Sequence, residues 1–219
     1  MNKTPDPRKP EEYYGKDYFT GELEKKCKDT GYCHEYNWET PQGKILGNQI
    51  CSCFEFKTVI DIGCCNGTLI DYFLKCGKDA IGIEVSKFAI EKAKNPSKII
   101  QANFLKMDND EIGVFDIVVS ISTFEHFPPE CIEDVCKKTF AITKNFLIVA
   151  LDTGANLAHL SRDCDVWVDN LSKAGFRLFY ECEFHHWKRM FLFSVANRIS
   201  DNIENKIKQM WIAVDKTNK

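Results

Sequence analysis

Asp61, Gly63, Gly67 and Glu84 stand at intervals that would bring two acids and two glycines to one ligand. The β-branched, apolar run Thr58-Val59-Ile60-Asp61-Ile62 ends at Gly63, and Cys64, Cys65 and Asn66 lead to Gly67, where an apolar pattern of helical spacing begins. Two glycines so placed permit a tight turn and let backbone N–H groups approach a ligand with no Cβ in the way. Glu84 closes a second apolar run about 20 residues beyond the turn, where the acid of a nucleotide-binding βαβ unit accepts hydrogen bonds from ribose hydroxyls. A turn built for pyrophosphate has the spacing G-x-G-x-x-G and seats the anion on a helix N-terminus. Here the spacing is D-x-G-x-x-x-G, and an acid ahead of the turn repels an anion and attracts a cation. The expected ligand is a nucleoside that carries positive charge.

The stretch Val59-Ile60-Asp61-Ile62-Gly63-Cys64-Cys65-Asn66-Gly67 resembles the first motif of the class I S-adenosylmethionine-dependent methyltransferases, V-L-D-I-G-C-G-T-G. S-adenosylmethionine carries both a sulfonium and an ammonium group. Cys65 stands at the family's middle glycine, a place that a small thiol fits if its φ is negative. The resemblance implies cofactor contacts from Asp61, Gly63, Cys64, Cys65 and Gly67 in the turn, and from Glu84 and Val85 after the second strand. Asn103 and Phe104 fall where the family reaches the adenine ring; an ordinary loop asparagine is the alternative. Ser120 and Ile121 end the fourth strand on the same crevice.

The continuation Ile121-Ser122-Thr123-Phe124-Glu125-His126-Phe127-Pro128 resembles the family's post-strand motif, which ends in E-H-x-P. It implies His126 as general base toward a methyl acceptor, with Glu125 orienting it or touching the substrate. The structural alternative is a histidine that caps the next helix or packs beside Phe127. Tyr14, Tyr18 and Asp152 are the candidate acceptor contacts.

The acid–glycine turn and the alternation of strands and helices predict an α/β, doubly wound domain, and the resemblance implies that its sheet is mostly parallel and seven-stranded. Alternating patterns predict strands over 58–62, 80–85, 98–102, 115–120, 146–151, 177–184 and 190–196. Helices are predicted over 68–74, 87–94, 130–141 and 163–174. The resemblance implies that the last strand inserts antiparallel. Four segments are expected: a mobile leader over 1–10, an aromatic-rich N-terminal extension over 11–49, an α/β domain over 50–200 that the resemblance covers and implies to be a methyltransferase domain, and a lysine-rich helical tail over 201–219. The extension, with Tyr13, Tyr14, Tyr18, Phe19, Tyr32, Tyr36 and Trp38, either packs on the core or forms a lid over the pocket.

The 219 residues suit one domain, and 44% hydrophobic with 28% charged residues is a globular composition. A net charge of −3 gives no strong nucleic-acid signal. No apolar run reaches the about 18 residues of a membrane span, and the first residues lack a secretory apolar core, so a cytoplasmic protein is expected. The eleven cysteines are expected to be reduced. Cys27, Cys33, His34, Cys51 and Cys53 lack the paired C-x2-C spacing of common zinc sites, and the adjacent His185 and His186 point to opposite faces of a strand. No metal is expected. Cys64 and Cys65, ahead of a helix, could have lowered thiol pKa values, although backbone use of the turn is the other reading. The function expected is methyl transfer from S-adenosylmethionine to a hydroxyl of a small molecule, such as a sugar or secondary metabolite. The alternatives are methylation of RNA or protein, and nucleoside binding without turnover.

Overall fold

The computed structural model of the chain describes residues 6, 8–23, 42–154, 159–185 and 188–195. Seven strands form one sheet: β1 (Thr58–Ile62), β2 (Asp79–Glu84), β3 (Ile99–Gln101), β4 (Phe115–Ile121), β5 (Thr143–Asp152), β6 (Phe176–His185) and β7 (Lys188–Val195). Their order is β3-β2-β1-β4-β5-β7-β6. β1 to β5 pair in parallel, and β7 enters antiparallel between β5 and β6. The doubly wound sheet with a reversed last strand is the one that the sequence predicts.

Strand β1 shows why these runs form a two-sided sheet. Val59 packs into a core with Leu46, Ile50, Ile70 and Phe73, whereas Ile60 and Ile62 face the opposite core with Val135, Trp167 and Leu171. Side chains two apart share a face, so an uninterrupted apolar run serves both layers. The strand order reverses between β2 and β4, on either side of β1, and the carboxyl ends of these strands frame a crevice there.

Two helices differ from the periodicity. The pattern over 87–94 gives only the short helix Lys87–Ile90, capped by Ser86 Oγ accepting from the Ala89 N–H. Beyond it Glu91, Lys92 and Lys94 are exposed, and a further turn with no packing face does not hold. A helix absent from the prediction, Gln42–Cys53, packs on helix Thr68–Lys75 and gives Leu46, Ile50 and Cys53 to the core. The boundary expected at residue 50 falls inside it.

The extension begins with two one-turn helices, Pro10–Tyr13 and Lys16–Phe19. Tyr13, Tyr18, Phe19 and Leu23 form a third apolar cluster with Ala89, and Tyr14, Cys65 and Phe88 lie against it. Tyr32, Tyr36, Trp38 and the tail over 201–219 lie outside the described residues. Among the described residues, no helix is long and apolar enough to cross a membrane.

Candidate functional site

The turn after β1 is fixed by its backbone. The N–H groups of Gly63 and Cys64 donate to the Ile83 carbonyl at 2.8 and 3.2 Å, which ties the turn to β2. Gly63 has φ +75°, and a Cβ there would collide with Thr123 Oγ1, so both conformation and space demand glycine. Gly67, at φ +70°, precedes helix Thr68–Lys75. Cys65 corrects an expectation: its φ is +52°, in the left-handed region, not negative. A side chain there costs roughly 1 to 2 kcal/mol.

Glu84 holds this turn. Its carboxylate accepts from the Cys65 N–H at 2.8 Å and from the Ser86 N–H at 2.7 Å, one on each oxygen, and the Val85 N–H also acts on it. A carboxylate offers about four acceptor positions, so capacity for a further donor remains. Asp61 lies beside it, and both acids are buried. Burial, then the charge of Glu84, pushes the Asp61 carboxyl up to about 7. Burial likewise raises Glu84, against the opposing pull of the Ser86, Cys65 and Val85 N–H groups. Two acids that resist ionising together make a pocket that a cation would relieve. The Cys64 thiol is pushed well above its ordinary range by burial and by Asp61 and Glu84, so a lowered thiol pKa does not hold at this position.

The end of β4 stands against the same turn. Ser120 is buried and its hydroxyl donates to the Ile62 carbonyl at 3.1 Å, stitching β4 to β1. Ile121 packs partly buried beside it. Ser122, at φ +51°, donates its N–H to the Ala150 carbonyl at 2.8 Å, and Thr123 fills the space over Gly63. The short 3-10 turn Phe124–His126 follows.

Glu125 is fully buried, and its Oε1 accepts from the Asp152 N–H at 3.0 Å. His126 Nδ1 lies 2.9 Å from the Tyr14 hydroxyl, and the two rings meet edge to face at 5.5 Å. Tyr18 stacks edge to face on Tyr14 at 4.9 Å. Burial first, then the neighbouring Tyr18, Tyr13, Glu125 and Glu84, holds the Tyr14 phenol well above its ordinary range, so it stays neutral. On the other side the His159 ring meets His126 at 4.9 Å. His159 Nδ1 sits 2.8 Å from the Gly154 carbonyl, which can only accept, so the proton is on Nδ1 and the neutral ring carries none on Nε2. Glu125, His126 and His159 each offer a ligand atom, all within 4.8 Å of one another.

The fold thus gathers Tyr14, Tyr18, Glu125, His126 and Asp152, which the sequence singles out separately. Val85 is half-buried next to Glu84. Asn103 has local work: its Oδ1 caps the 3-10 turn Phe104–Lys106 at the Leu105 N–H, 3.1 Å, and its amide donates to Glu11 at 3.2 Å. Glu11 also pairs with Lys106 at 2.6 Å, which straps the extension to this loop. Phe104 is buried in the second core near Phe127. Thr123 and His159 are site residues that the sequence pattern misses. Of the cysteine set weighed for zinc, Cys51 and Cys53 are reduced thiols on helix Gln42–Cys53, and Cys27, Cys33 and His34 lie outside the described residues, as does His186.

Residues 59–145 match the family described as methyltransferase domain. No curated protein sequence matches the chain. Among solved structures, the chain is similar to magnesium protoporphyrin IX methyltransferase from Synechocystis PCC 6803 with bound S-adenosylmethionine, at 14% identity and TM-score 0.59, over 90% of this chain and 100% of that one. A TehB-like S-adenosylmethionine-dependent methyltransferase from Corynebacterium glutamicum is similar at 14% identity and TM-score 0.59, over 70% of this chain and 87% of that one. Mitomycin 7-O-methyltransferase is similar at 13% identity and TM-score 0.56, over 70% of this chain and 54% of that one. The structural likenesses give the class I methyltransferase fold, and the family match places a methyltransferase domain on the strands that carry the acid–glycine turn and the Glu125-His126 loop. Residues 59–145 thus combine a methyltransferase-domain sequence match with the class I methyltransferase fold.

Proposed function

We propose that this chain transfers the methyl group of S-adenosylmethionine to a hydroxyl of a small molecule, with His126 as the general base. The observation that carries the proposal is the loop after β4: Thr123 seals the cofactor turn at Gly63, and His126, three residues on, is held by Tyr14. A base is thereby fixed beside the place where a nucleoside cofactor would sit. The oxygen methylation named in mitomycin 7-O-methyltransferase is consistent with this acceptor chemistry.

The buried Asp61 and Glu84 would favour the ammonium and sulfonium charges, and the remaining lone pairs of Glu84 would accept from ribose hydroxyls. Gly63, Cys64, Cys65 and Gly67 would meet the cofactor through their backbone. Val85, Asn103, Phe104, Ser120 and Ile121 would line its nucleoside end, and the residues of the extension, Tyr14 and Tyr18 among them, would close over the acceptor with Asp152.

In the tautomer whose Nδ1–H donates to the Tyr14 oxygen, His126 would present an unprotonated Nε2 to take the acceptor proton. The acceptor oxygen attacks the methyl carbon in line, the C–S bond breaks with its electron pair on sulfur, and the hydroxyl proton passes to the imidazole. An imidazole near 6.5 and a phenol near 10 make complete proton transfer before attack cost about 5 kcal/mol, so transfer accompanies attack. Alignment and exclusion of water supply most of the remaining rate.

The test is S-adenosylhomocysteine formation with a panel of phenol, sugar and aliphatic hydroxyl acceptors, comparing wild type with His126→Ala. A positioned histidine contributes about 10² to 10⁴ in rate, so turnover should fall at least a hundredfold with cofactor affinity kept. A variant that keeps most of its turnover contradicts the base assignment. A methyl group found only on RNA or protein contradicts the acceptor class.

A further inference from the structure

We propose that Glu125, His126 and His159 form a binding site for one divalent first-row transition ion. The proposal rests on the function proposed above and changes one role within it: with an ion bound, His126 is a ligand, and the ion acidifies the acceptor hydroxyl.

Three observations converge. First, one ligand atom from each residue lies within 4.8 Å of the others. Ligand atoms around an ion with bonds of about 2.0 to 2.2 Å stand roughly 3 to 3.5 Å apart, a distance that small side-chain rotations reach. Second, the donor set is two imidazoles and one carboxylate. Imidazole suits zinc, iron, cobalt and nickel, whereas magnesium and calcium take oxygen ligands. Three protein ligands leave positions open for an acceptor oxygen.

Third, each ligand has the outer partner that orients a metal ligand. His159 donates from Nδ1 to the Gly154 carbonyl at 2.8 Å, so ligation would be through Nε2. The Glu125 Oε1 is held by the Asp152 N–H at 3.0 Å. The Tyr14 hydroxyl stands 2.9 Å from His126 Nδ1, so ligation through Nε2 would keep that bond, with Nδ1–H donating. Glu125 is fully buried, and a buried carboxylate beside a cation is compensated where one in apolar surroundings is not.

An ion in this place lowers the pKa of a coordinated hydroxyl. The hydroxyl proton leaves to solvent, the coordinated oxygen forms its bond to the methyl carbon, and the C–S electron pair stays on sulfur. Products are the methyl ether and S-adenosylhomocysteine.

The experiment titrates the full chain, stripped with a chelator, with Co²⁺ followed by calorimetry and visible absorption, and repeats it with Zn²⁺. The expected result is one ion per chain, with a ligand-field spectrum of nitrogen and oxygen donors and no thiolate charge-transfer band. His159→Ala and Glu125→Gln, each checked for a native circular dichroism spectrum, should bind at least tenfold more weakly, while S-adenosylhomocysteine affinity stays that of wild type. No saturable binding, a thiolate band, or a folded His159→Ala that binds the ion as tightly as wild type overturns the site. Ion binding is read without turnover: loss of methyl transfer to every hydroxyl with ion binding intact overturns the proposed function and leaves this site standing.

Discussion

The Tyr14 hydroxyl lies 2.9 Å from His126 Nδ1, joining residues 112 positions apart in the chain. Through this contact the extension is coupled to the loop after β4, and through the Tyr13, Tyr18, Phe19 and Leu23 cluster the same segment lies against Cys65 in the turn. The two halves of the crevice therefore share one cover.

That coupling predicts the behaviour of Tyr14→Phe. Losing the hydroxyl removes one of the contacts that orient the His126 ring but leaves the aromatic packing in place. Turnover should fall about fivefold, in keeping with one hydrogen bond of about 1 kcal/mol, while S-adenosylmethionine affinity changes less than twofold. Steady-state kinetics beside calorimetry checks both, and a variant with wild-type kcat removes Tyr14 from the positioning of His126.

Cys65 predicts an inverse effect. Because its φ is +52°, Cys65→Gly should raise unfolding stability by about 1 kcal/mol and preserve cofactor binding. Gly63→Val, by contrast, drives a side chain into Thr123 and should abolish binding. Urea denaturation with calorimetry decides between these outcomes; loss of binding in a stable Cys65→Gly gives the thiol a role of its own.

Asp61 predicts a pH dependence. Its folded pKa, pushed up to about 7 by burial and Glu84, is above the about 3.9 of an unfolded aspartate, so the folded state binds the proton more tightly. The stability this contributes is full below about pH 4 and is lost as pH rises through about 7. In the cofactor-free protein, Asp61→Asn should therefore flatten the fall in stability between about pH 4 and 7 and weaken S-adenosylmethionine binding. A wild-type stability that does not fall over this range contradicts the assignment.

Asp116, at the other end of the sheet, has the opposite sign. Burial raises its carboxyl, but the Lys57 N–H, the Lys144 ammonium at 3.0 Å and the Thr58 N–H outweigh it and hold the pKa at about 2. The stability gained is present above about pH 3.9 and lost as pH falls through 2. Asp116→Asn should cost about 2 kcal/mol at pH 7, with the difference vanishing near pH 2. Equal urea midpoints at pH 7 would contradict it.

What was legible in the sequence was local. The strand Thr58–Ile62, its glycines and helix Thr68–Lys75 are written in adjacent residues, and the acid at Glu84 follows at a spacing that the βαβ unit dictates. Helix Gln42–Cys53 was hidden by Gly43 and Gly47, poor helix formers whose reason is tertiary: a Cβ at Gly47 would lie 2.5 Å from the Tyr72 ring. The positive φ of Cys65 is imposed by the turn, not by the residue. His159 lies in a polar stretch with no period, and the fold places it beside the Gly154 carbonyl and the His126 ring. Contacts set by the closed fold leave no spacing to read.

Binding of S-adenosylmethionine on the turn held by Asp61 and Glu84 is measured by calorimetric titration. Wild type should bind one molecule per chain. Charge-assisted bonds of about 1.5 to 3 kcal/mol imply that Glu84→Ala binds tenfold more weakly or worse, with its circular dichroism spectrum retained. A wild type that shows no binding, or a folded Glu84→Ala with an unchanged dissociation constant, would contradict the account.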